Sequence, residues 1–142
     1  MKKILLIGLF VLNVNAQADD YDDMEIIANE FAGCVGVFKA FAKASPNDPA
    51  LAESLMGYSR GAKLAAAYLF ANMRAIKDGT SKPYADYYPQ VESIAFRYYK
   101  QAKIQLEAGN SESMEAALME CADLNEVQTK IIQDIREDAY EN

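Results

Sequence analysis

The chain has 142 residues, 21 of them acidic against 14 basic and none histidine, for a net charge of −7. Such a charge opposes binding to phosphate backbones and anionic membranes, so nucleic acid is excluded as a partner and a basic protein surface is favoured. Without histidine there is no imidazole base, no Ser-His or Cys-His pair and no His-containing zinc site.

The N-terminus is ordered like a secretory signal. Lys2 and Lys3 form a positive start, Ile4 to Val14 an apolar run too short to span a bilayer, and Ala16-Gln17-Ala18 a small-x-small cleavage pattern. Cleavage is expected before Asp19, with a cut after Ala16 as the second choice. The reading divides the chain into a signal peptide, residues 1–18, and a single helical domain, residues 19–142, placed in the periplasm or secreted with no membrane anchor after cleavage. Loss of Lys2 and Lys3 takes the net charge to about −9.

Four helical segments follow. The first is predicted from about Asp22 to Ala44, where Met24, Ile27, Phe31, Cys34, Phe38 and Phe41 recur three or four apart as one apolar stripe. Ser45-Pro46-Asn47-Asp48-Pro49 ends it; Asp48 is a natural N-cap and Pro49 suits the first helical position. The second runs from Pro49 to about Lys77 and stops at Asp78-Gly79. Gly57 and Gly61 lower its propensity, and with Ala65 they make a small-residue ridge, four apart, expected to admit a close helix neighbour.

A linker from Gly79 to about Tyr88 precedes Pro89, which opens the third helix. There Val91, Ile94, Ala95, Tyr98, Ala102 and Leu106 keep a helical period until Gly109. Asn110 or Ser111 caps a fourth helix with the stripe Met114, Ala117, Leu118, Cys121, Leu124, Gln128, Ile131 and Ile135. The polar tail from Glu137 is expected to fray. Alternation of period two persists nowhere, so strands are not expected.

Cys34 and Cys121 are the only cysteines, and an exported chain with two is expected to pair them. In an up-down-up-down bundle the first and last helices are antiparallel neighbours, which brings the middle of each stripe, and so the two sulfurs, together. The expected fold is therefore all-α: a four-helix up-down bundle, preceded by a cleaved signal peptide and tied by one disulfide.

Catalytic groups are scarce. No serine has a lysine three residues on, and glycine-rich phosphate cradles are missing. Asp19, Asp20, Asp22 and Asp23 lack the glycine turn and distal glutamate of a calcium loop. Carboxylates such as Glu53, Glu92, Glu107, Glu120 and Asp123 leave a histidine-free hydrolase as one alternative, since glycoside chemistry needs only two. No cofactor, metal or enzymatic activity is expected.

Two features point instead to binding. Tyr84, Tyr87 and Tyr88, continued by Tyr98 and Tyr99, cannot all face one core, and tyrosine is enriched at protein interfaces, the alternative role being to cover the end of the bundle. The second feature is Gly57-Tyr58-Ser59-Arg60-Gly61. It resembles the Gly-Tyr-x-x-Gly signature of the Rap/Tai-type immunity proteins that protect against type VI secretion amidases, which are small, exported, helical and disulfide-bonded. That family usually has cysteine before the motif, where this chain has Leu55 and Met56. The resemblance implies an exported, non-catalytic protein that acts on another protein. A carrier or sensor of an apolar ligand, enclosed by Phe31, Phe38, Phe41, Phe70 and Phe96, is a further alternative.

Overall fold

The computed structural model describes residues 19–141, and the predicted signal segment, residues 1–18, lies outside them. The described chain is all-helical: α1 (Asp19–Lys43), α2 (Pro49–Asp78), a 3-10 turn (Tyr84–Tyr87), α3 (Tyr88–Glu107), α4 (Ser111–Asp123) and α5 (Asn125–Glu141). Only Leu124 separates α4 from α5, so the five helices make four rods.

The predicted punctuation operates locally. The Asp48 carboxylate accepts the Leu51 amide at 3.0 Å, satisfying one of the orphan donors that begin α2, with Pro49 in its first turn. At the other end Gly79 takes the left-handed conformation (φ 66°) that closes a helix and that a side chain would strain. The turn between Lys43 and Pro49 folds α2 back antiparallel to α1, and the buried Ser59 hydroxyl donates to the Val35 carbonyl across that contact at 3.1 Å.

α1 is the central helix. Every residue from Phe31 to Phe38 is buried, so its apolar surface extends around the whole circumference and is wider than the single predicted stripe. α2 and α3 both pack on it. Against α3 the approach is at backbone distance: a Cβ on Gly36 would strike the Ala95 carbonyl oxygen and lie 2.6 Å from the Tyr99 amide nitrogen. The core beside them holds Phe31, Val35, Phe70, Val91 and Ile131, all essentially inaccessible.

The fourth rod departs from expectation in two respects. It is divided at Leu124, because its halves have different neighbours. α4 reaches α1 through the disulfide, whereas α5 lies along α2, where Gln128 sits at Gly61 and Asp138 at Tyr68. Cys121 therefore stands near the C-terminal end of α4 and not midway along a long helix. The polar end, expected to fray from Glu137, continues as helix to Glu141. Tyr68 donates to Asp138 at 2.8 Å and Gln133 to Glu137 at 2.9 Å, giving that last stretch partners.

Candidate functional site

Cys34 and Cys121 form a disulfide, with Cα atoms 5.5 Å apart and a sequence separation of 87. Both sulfurs are thereby removed from nucleophilic or metal chemistry. Among the described residues no group of His, Cys, Asp and Glu is placed to hold a metal ion, and no helix is long and apolar enough to cross a membrane.

The predicted tyrosines fall into two sets. Tyr84, Tyr87 and Tyr88 lie in and just after the 3-10 turn, half-buried against the main core. Tyr84 meets Tyr88 edge-on at 6.3 Å and Tyr68 of α2 at 6.5 Å, the geometry that sets a ring's positive rim against its neighbour's negative face. Tyr98 is 44 % exposed and lies over Gly33, where an added Cβ would come within 3.1 Å of its ring. Tyr99 packs with Ala40, Ala102 and Met114, under the ammonium of Lys43.

Beside the first set stands a charged cluster that the sequence reading did not single out. Glu92 Oε1 is 2.7 Å from Lys63 Nζ and Glu92 Oε2 is 3.0 Å from Lys39 Nζ, joining α3 to α2 and α1. Lys63 also lies over the Tyr88 ring, 4.6 Å from its centre. The hydrogen bond from Lys63, opposed by desolvation and aided by Lys39, holds the Glu92 carboxyl below the ordinary carboxylate range. It is thus a fixed anion and no proton donor near neutrality. Two ammonium groups thus share one carboxylate beside a tyrosine turn that itself carries Asp86.

Since its folded pKa is depressed, Glu92 contributes stability that is complete above its unfolded value and lost as pH falls through the folded one. Glu92→Gln should therefore lower stability near neutrality by at most about 1 kcal/mol, because all three groups are partly exposed. It should also flatten the acid limb of a denaturation curve recorded against pH. Equal acid limbs in variant and parent would contradict the pairing.

Where α5 meets this end of α2, burial chiefly pushes the Tyr68 phenol up to about 12; Asn72 opposes, and Asp138 and Asp134 reinforce. The same end raises the Asp134 carboxyl, by burial first and then by repulsion from Glu137 and Asp138. The neutral Tyr68 phenol supports the α2–α5 contact fully below its unfolded value of 10.0, and that support is lost as pH rises through about 12. Phenolate absorbance in an alkaline titration should show one late tyrosine that Tyr68→Phe removes. Retention of the late step in the variant would place it elsewhere.

The remaining predicted residues are placed as follows. In the pentapeptide, Ser59 faces inward to Val35, while Tyr58 is 44 % exposed with its ring 5.7 Å from that of Phe38. A Cβ on Gly61 would collide with the Gln128 side chain, and Ala65 is fully buried. One on Gly57 would meet only Arg60 Nη2, at 3.9 Å, so Gly57 stands apart from the close helix contact. Of the carboxylates offered for hydrolysis, Glu92 is ion-paired and Glu53, Glu107, Glu120 and Asp123 are exposed. Of the phenylalanines offered for a ligand cavity, Phe31, Phe38 and Phe70 are core residues and Phe96 is 58 % exposed.

Comparison with protein-family models, with curated proteins and with solved structures finds no match for this chain.

Proposed function

We propose that the chain is an exported, non-catalytic binding protein that acts on another protein in the periplasm by occlusion or docking, an immunity or inhibitor protein being one form. In this reading residues 1–18 are removed on export, and the mature domain is an up-down bundle whose fourth rod is broken at Leu124. The observation that carries it is chemical: a chain without histidine has both its cysteines joined to each other. That leaves side chains suited to recognition more than to bond making. The half-buried Tyr84, Tyr87 and Tyr88, with Lys63 over one ring, offer rigid apolar area and hydroxyl donors together. The net acidity of the chain favours a basic partner surface.

The experiment compares parent chain with Tyr84→Ala/Tyr87→Ala as bait in a periplasmic extract at low and high salt. Recovery by the parent of one specific protein, weakened both by salt and by the double substitution, is the expected result. Equal recovery by both baits, or none at any ionic strength, would remove the reading. N-terminal sequencing of the exported product should give Asp19 as its first residue.

A further inference from the structure

We infer that the outer faces of α3 and α4 form a self-complementary surface for a second copy of this chain, α3 of one copy against α4 of the other. An α-helix turns 100° per residue, so each residue's direction follows from its buried neighbours. In α3 the buried residues Val91, Ile94, Ala95 and Ala102 define the inner side. Opposite them lie Phe96, Arg97, Lys100, Lys103 and Ile104, all exposed. The one acidic residue on this face, Glu107, is already 3.8 Å from Lys103. The face is therefore net positive in a chain of net charge −7.

α4 has the opposite character. Met114 and Cys121 point inward, and the outward side carries Glu112, Glu115, Met119, Glu120 and Asp123. Its sequence contains no basic residue. Each face also presents large apolar side chains to solvent: Phe96 is 58 % exposed, Ile104 61 % and Met119 62 %. Exposed apolar residues scattered singly carry no message. Here they sit within stripes of opposite sign on two consecutive helices.

A two-fold axis pairs these stripes without a third surface. It brings basic α3 onto the partner's acidic α4 and repeats the contact in the other direction, so that every favourable contact is made twice. An anionic membrane fits less well, because α4 follows α3 after a short turn and would be repelled by the same headgroups. The inference is independent of the function proposed above.

The test uses the full chain with its disulfide intact and reads mass by sedimentation equilibrium from about 1 to 100 µM. One variant carries Arg97→Glu, Lys100→Glu and Lys103→Glu; the other carries Glu112→Lys, Glu115→Lys and Glu120→Lys. The parent should be a dimer that dissociates as salt is raised, and each variant alone a monomer with unchanged helical content. Mixed in equal amounts, the two variants should regain the dimer mass, because reversed α3 then meets reversed α4. Phe96→Ser, which leaves every charge in place, should weaken association about tenfold and keeps the test open if a triple variant misfolds. A monomeric parent at low salt, a mixture that stays monomeric, or flotation with anionic vesicles in place of dimerisation would each overturn the inference.

Discussion

Replacing Cys34 and Cys121 together by serine should destabilise the domain by roughly 4 kcal/mol and lower its Tm by roughly 15 °C. The bond joins positions 87 apart in sequence, so cutting it frees most of the unfolded chain while removing the covalent tie between α1 and α4. Thermal denaturation with and without a reductant provides the measurement. The parent under reducing conditions should melt like the double variant, and the variant should be indifferent to reductant. A parent whose melting did not change on full reduction would show that packing alone determines the α1–α4 contact.

A second large effect is expected at a position with no chemistry at all. Gly36→Ala should cost about 3 kcal/mol, because the new methyl meets the Ala95 carbonyl and the Tyr99 amide nitrogen, and these backbone atoms move only if α3 as a whole moves. Gly57→Ala is the matching control. Its methyl meets only the flexible end of Arg60, so the usual helix-propensity gain of about 0.5–1 kcal/mol should appear as stabilisation. Equilibrium unfolding in urea measures both. If the two substitutions had the same sign, the backbone contact between α1 and α3 would be refuted.

The difference between these glycines shows what was and was not legible in the sequence. Helix ends governed by local chemistry were plain: Asp48, Pro49 and Gly79 state the limits of α2 in a few residues. The pairing of Cys34 with Cys121 was legible too, since two apolar stripes had to bury against something. Long-range packing was not. Gly33 and Gly36 interrupt α1 at a cost in propensity, but nothing local says that Tyr98 and Ala95 explain it. Leu124 offered no glycine or proline to mark a break; the two halves of that rod part only because one is tied to α1 and the other lies on α2. At the candidate site, tyrosine composition found Tyr84, Tyr87 and Tyr88. It also grouped with them Tyr98 and Tyr99, whose neighbours are different. The Lys39–Glu92–Lys63 cluster draws one residue from each of three helices, a juxtaposition that no single window of sequence contains.

The division at Leu124 bears on how the molecule comes apart. One side of it is anchored by a covalent bond; the other depends on a short row of side chains along α2 and on the Tyr68–Asp138 hydrogen bond. Amide hydrogen exchange should accordingly be graded along one nearly continuous stretch of chain. The amides of Asn125–Glu141 should exchange through a local opening well before those around Cys121, so that α5 peels away as a separate foldon while the remainder stays native.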